Sequence, residues 1–229
     1  ASRVKAMLAR NATNRRQEPS KGLALGFIGA KGGVGTTTLA LNVAAALTLV
    51  GENPIVADFR LGSGSLGLSI GFGHSHGMAN VLSKPVSEIR ATTIDPELVV
   101  HQSGLRALLS SARTKEAQLS YSADAALAVI RALKTMGRPA IFDLGTGLDQ
   151  TTSRLQRDMD QVVLVVEPNN VALSMAREAL HEMDANGTRR VHVVVVSRSS
   201  SNVQTPWHEI EQALGQEIRA IISAAHDQL

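Results

Sequence analysis

No cysteine occurs among the 229 residues, which excludes a disulfide framework, a thiolate metal centre and thiol nucleophilic chemistry. Aromatic residues are only 3% of the chain, with one Trp and one Tyr, against 44% hydrophobic residues in all. A core drawn from such a sequence has to be Val, Leu, Ile and Ala, the residues that suit helices laid on a buried sheet. No run of roughly eighteen apolar residues is present, so no segment can span a bilayer as a helix. The net charge of +3 is small. Nucleic-acid binding would need the basic residues gathered on one face, and composition gives no sign of that. A G-x-S-x-G elbow for acyl transfer is missing as well. His74 and His76 stand two apart in "GHSHG" without a third ligand, the pattern of a surface loop rather than a metal site.

Short apolar runs alternating with helix-like stretches make up the rest. "LALGFIG" (23–29), "NPIVAD" (53–58), "LRALLS" (105–110), "RPAIFD" (138–143), "QVVLVVE" (161–167) and "RVHVVVVS" (190–197) read as strands. Helical spacing covers "TTLALNVAAALTLV", "SADAALAVIRALKTM", "VALSMAREALHEM" and "PWHEIEQAL". Trp207, at the start of the last of these, reads as a packing residue. Continuous rather than alternating apolar runs indicate strands covered on both faces. The alternation predicts an α/β fold: a mostly parallel central sheet with helices on both faces. Residues 60–120 are less regular. Residues 1–21 are basic and polar, and read as a linker or the tail of a preceding module, with one nucleotide-binding domain over 22–229.

Between the first strand and first helix lies "GAKGGVGTTT" (29–38). Gly32, Gly33 and Gly35 let successive backbone N–H groups converge on an anion, and the helix that follows adds its positive end. Thr37 falls where a hydroxyl can ligate Mg²⁺, and Thr38 where one can reach a further phosphate. The usual pattern G-x-x-x-x-G-K-[ST] would put lysine at position 36; here it is Thr36, which carries no charge. Lys31 precedes the glycine pair instead.

"KGGVGTTTLALNVAAAL" resembles the deviant Walker A loop, K-G-G-x-x-K-[ST], of the ParA/MinD class of P-loop ATPases. Within that class "VADFRLGSGSLGLSIG", "GMANVLSK", "SGLRALLSS", "AIFDLGTGLDQTTSRLQRDMDQVVLVVEPN" and "IRAII" are similar to the CpaE/TadZ branch, proteins of Flp/Tad pilus assembly and polar localisation. The resemblance implies that Lys31 reaches across a nucleotide-sandwich homodimer to the partner's phosphates. It implies that the backbone of Gly32, Gly33, Val34, Gly35, Thr36 and Thr37 wraps the β-phosphate of ATP, that Thr37 binds Mg²⁺, and that Asp143 orders the metal through water. Gly147 matches the glycine whose N–H senses the γ-phosphate, and Gly145 stands where the class often has proline. Asp58 fills the first position of the D-x-D strand end, whereas the second is Arg60, and Ser65 replaces another acid. That reversal of charge implies retention of nucleotide with weak or absent hydrolysis, and offers Arg60 as compensation for the missing lysine. Ser197 and Arg198 match the region that meets the base; "EPN" (167–169) reads as a structural connection. Pilus or secretion assembly proteins are the implied partners, with a cytoplasmic, polar location. Two alternatives stay open: a working ParA-type ATPase in DNA or protein segregation, and a nucleotide-free structural pseudo-ATPase.

Overall fold

The structure is a computed structural model and describes residues 22–223 except 74, 120, 189 and 198–205. The expected linker over 1–21, together with His74 and Arg198, lies outside the described residues.

Eight strands form one sheet in the order β3-β4-β2-β5-β1-β6-β7-β8. They are β1 (Ala24–Gly29), β2 (Ile55–Asp58), β3 (Val99–Val100), β4 (Arg106–Leu108), β5 (Ala140–Thr146), β6 (Gln161–Val166), β7 (Val191–Ser197) and β8 (Ile218–Ser223). Every neighbouring pair is parallel save β3 with β4, which is antiparallel. The expected α/β architecture is therefore the one observed.

Strand residues alternate between two apolar layers, which explains why the strands read as unbroken apolar runs. Ile55, Ala57, Phe142, Leu164 and Val166 enter one layer, and Val56, Ile141 and Val165 the other. Helices α5 (Ala123–Met136) and α7 (Asn170–Ala185) cover the first through Val129, Ile130, Leu133, Leu173 and Ala176. Helix α1 (Thr36–Leu49) covers the second through Ala40 and Ala44. Ile130 and Phe142 are fully buried, so truncating either to Ala costs about 3 kcal/mol or more.

Ends of elements follow local chemistry. Ser122 caps α5 by accepting the Ala125 N–H at 3.1 Å, and Asn169 caps α7 by accepting that of Ala172 at 2.9 Å. Helix α1 differs: its N-cap is Gly35, and no side chain caps it. Its first-turn donors are left facing the loop that precedes it.

Several elements depart from expectation. The strand expected over 105–110 is only three residues long, because the chain beyond it is held differently: Leu109 accepts from the Met78 N–H, and the Ser110 hydroxyl donates to the Asp58 carbonyl at 2.5 Å. The irregular middle contains short α-helices, α2 (Leu66–Ser69), α3 (Gly77–Leu82) and α4 (Ala91–Ile94), with 3-10 turns between and after them. β5 does not stop at Asp143. Gly145, at φ +80°, lets the ladder shift so that Gly29 pairs with Thr146. β8, not read as a strand, joins the sheet edge with most of its residues exposed. The remaining helices are α6 (Gln150–Leu155) and α8 (Trp207–Leu214). Trp207 begins α8 as expected but is 59% exposed, not packed.

Candidate functional site

The C-terminal end of β1 opens into the glycine loop, with the ends of β5 and β6 on either side of it, the edge of a parallel sheet at which ligands are bound. Gly33 and Gly35 adopt φ of +82° and +98°, left-handed conformations that side chains resist. Val34 is buried in the layer under α1, so it offers the loop only its backbone. Gly32, Gly33 and Thr38 are exposed on the loop's rim.

Thr36, where lysine would stand, is 5% exposed. Its hydroxyl is packed against Gly29 at the root of the loop and has no hydrogen-bond partner. A buried hydroxyl left unpaired is unfavourable by about 1 kcal/mol or more. Together with the uncapped helix and the left-handed glycines, this orphan donor suits the cradle to an anion with several oxygens. The fit to a nucleotide phosphate is good.

On one side of the cradle two acids stand abreast. Asp58 of β2 and Asp143 of β5 are paired in register, so both carboxylates project from the same sheet face, and both are fully buried. Asp143 accepts the Thr37 hydroxyl at 2.5 Å and the Gly145 N–H at 3.1 Å. Asp58 accepts the backbone N–H of Arg60 at 2.9 Å and of Leu66 at 3.4 Å. Burial, then the charge of Asp143, pushes the Asp58 carboxyl up from 3.8 to about 6.

Arg60 answers this concentration of negative charge. Its Nε lies 3.6 Å from Asp58 Oδ1 and 3.5 Å from Asp143 Oδ2. Its terminal nitrogen donates to the Ser65 hydroxyl at 2.5 Å. Thr37 and Asp143 are oxygen ligands of the kind Mg²⁺ prefers, but the guanidinium stands 3.5 Å from the Asp143 carboxylate that would order the metal. A resident magnesium does not fit this arrangement with Arg60 where it stands.

On the other side Lys31 leans toward β6. Its ammonium is 3.0 Å from the Glu167 carboxylate, which also accepts from the Asn169 side chain at 2.9 Å. Sequence reasoning missed Glu167 as a site residue; Asn169 is structural as expected. Gly147 is close to the cradle, but its N–H donates to the Gly29 carbonyl at 3.0 Å, so it is already engaged. Ser197 ends β7, buried, in a cleft of about 200 Å³ shared with Pro168, Pro206, Trp207 and Ile221. His76 is not a loose loop residue: it contacts the Glu116 carboxylate, which accepts the Ser111 N–H. Among the described residues no cluster of three metal-ligating side chains occurs, and no helix is long and apolar enough to cross a membrane.

The family model described as cellulose biosynthesis protein BcsQ matches residues 23–214. None of the curated proteins matches the chain. Among solved structures, the ParA family ATPase from Chlorobium tepidum TLS superposes with a TM-score of 0.80 at 22% identity, covering 91% of this chain and 87% of that one. The MinC:MinD cell division protein complex of Aquifex aeolicus gives 0.73 at 20% identity, covering 90% and 83%. MinD from Pyrococcus horikoshii OT3, complexed with Mg-ADP, gives 0.72 at 15% identity, covering 88% and 81%. At these identities the likeness bears on the fold, which is that of the ParA/MinD ATPases.

Proposed function

Since the chain belongs to the family described as cellulose biosynthesis protein BcsQ, we propose that it is an ATP-binding switch that pairs two copies around the nucleotide and hydrolyses it slowly or not at all. The observation that carries this reading is the guanidinium on the two acids, with Arg60 Nε 3.6 Å from Asp58 and 3.5 Å from Asp143. By resemblance, Arg60 stands at the strand-end position where active relatives carry a second acid that positions the attacking water, so that acceptor is missing here. The same cation favours a polyphosphate nearby.

The backbone from Gly32 to Thr37 holds the phosphates, and the orphan Thr36 hydroxyl donates to one of their oxygens. Lys31 exchanges Glu167 for the phosphates held by the other copy, and Gly147 exchanges the Gly29 carbonyl for the terminal phosphate. Ser197 borders the cleft at Trp207 and Ile221 that receives the base, and Arg198, next in sequence, is the second base-binding candidate. When bound, the triphosphate supplies the anionic charge that both copies need to face each other, so its presence favours the dimer. The resemblance to the CpaE/TadZ branch supports a localisation role in placing a Flp/Tad pilus or secretion apparatus.

The test is to load purified protein with ATP, remove free nucleotide, and identify what stays bound over time while measuring released phosphate. Retained ATP with phosphate release at background is the expected result. Release that rises with protein concentration would favour a working ParA-type ATPase, a reading supported by the intact Thr37–Asp143 pair. Failure to retain any nucleotide would leave only a structural pseudo-ATPase.

A further inference from the structure

Two buried carboxylates side by side repel one another, and in this sheet the sequence sets a cation of its own between them. Asp58 and Asp143 occupy matched positions on adjacent parallel strands, and neither has any exposed surface. Each accepts two hydrogen bonds, which orients the group without neutralising it. Between them lies Arg60 Nε, within 3.6 Å of one and 3.5 Å of the other.

The guanidinium is fixed at further points. Ser65 accepts from its terminal nitrogen at 2.5 Å. Its stem rests on Gly145, where a Cβ would approach Arg60 Cγ and Cδ to 3.1 Å. Residue 145 therefore leaves room for the arginine on one side, and Ser65 holds it on the other. Arginine stays charged at any accessible pH, so this cation does not come and go. Thr37, whose hydroxyl shares Asp143 Oδ2 with Arg60, ties the same centre to the first turn of α1. A dication entering here would meet a positive charge 3.5 Å from the Asp143 carboxylate. Mg²⁺ also demands octahedral oxygen ligands at roughly 2.0–2.1 Å and loses its waters reluctantly.

We propose that the Arg60 guanidinium takes the place of the divalent cation in this nucleotide site, so that the chain binds ATP without metal. This rests on the nucleotide reading above. It separates the chain from sites that hold phosphate through Mg²⁺: here one fixed monocation serves both acids and presents its remaining N–H groups to the polyphosphate.

The experiment is a calorimetric titration of ATP into the wild-type protein and into Arg60→Ala, each with Mg²⁺ and with EDTA, alongside electron paramagnetic resonance of Mn²⁺ added with ATP. Wild-type affinity should differ by less than about threefold between the two buffers, and its Mn²⁺ spectrum should be that of MnATP free in solution. Arg60→Ala should bind ATP about tenfold or more tightly with Mg²⁺ than with EDTA, and should give a protein-bound Mn²⁺ signal. A tenfold loss of wild-type affinity in EDTA overturns the proposal, whether or not the variant folds. So does a protein-bound Mn²⁺ signal from the wild type. An absence of binding by the wild type in both buffers overturns the nucleotide reading itself, a result distinct from metal dependence.

Discussion

The ammonium of Lys31 lies 3.0 Å from the carboxylate of Glu167 in the same chain. Both side chains are about a quarter exposed, at 28% and 25%, so the pair contributes on the order of 1 kcal/mol or less to stability. Such a contact holds the lysine in position yet is readily exchanged for a phosphate. Glu167→Gln should change stability by less than about 1 kcal/mol. It should also bring ATP-dependent dimerisation to a severalfold lower protein concentration. Chemical denaturation and sedimentation with ATP check the two halves of this expectation.

Thr36→Val tests the orphan hydroxyl. The two side chains are nearly the same shape, and the hydroxyl being removed is buried without a partner. The nucleotide-free protein should gain about 1 kcal/mol in urea unfolding. ATP affinity should fall roughly tenfold, because the donor lost is the one assigned to a phosphate oxygen. Unchanged affinity would remove Thr36 from the site.

Asp58 gives a pH-dependent expectation. Its carboxyl is raised from 3.8 to about 6 by burial and by Asp143, so the fold favours the protonated form. That contribution is whole below the unfolded value and is lost as the pH climbs through the folded one. Asp58→Asn does not titrate. Its stability relative to wild type should therefore improve by roughly 3 kcal/mol between about pH 4 and about pH 7, then level off. Urea unfolding of both proteins across that range is the measurement.

Gly145→Ala addresses the ledge on which Arg60 rests. The backbone there has φ +80°, and the new methyl would meet the arginine stem at 3.1 Å. A cost of about 1–3 kcal/mol is expected in thermal or urea unfolding.

Much of this was legible in the chain itself. The strand–glycine–helix unit, the acid at Asp143 and the arginine at position 60 are all local patterns, and β1, β2, β5, β6 and β7 announce themselves as apolar runs because both faces are covered. What escaped reading was set by tertiary contact. The sequence shows that Arg60 replaces an acid, but not that it points at Asp58 and Asp143; that follows from the register of β2 with β5. Nor does it show that Glu167 holds Lys31, since the two are brought together only when β1 and β6 pair. The extension of β5 past Asp143 depends on one left-handed glycine, Gly145, whose effect on a ladder is not visible in apolar periodicity. β8 escaped because an edge strand with exposed residues has no buried face to announce it.

A nucleotide gripped between two copies of this chain is tested most directly by sedimentation velocity of the wild type and of Lys31→Ala, with and without ATP. The wild type should move from monomer to dimer on adding ATP, while Lys31→Ala should still take up the nucleotide and stay monomeric. A wild type whose sedimentation ignores saturating ATP, or a Lys31→Ala variant that dimerises just as well, would contradict it.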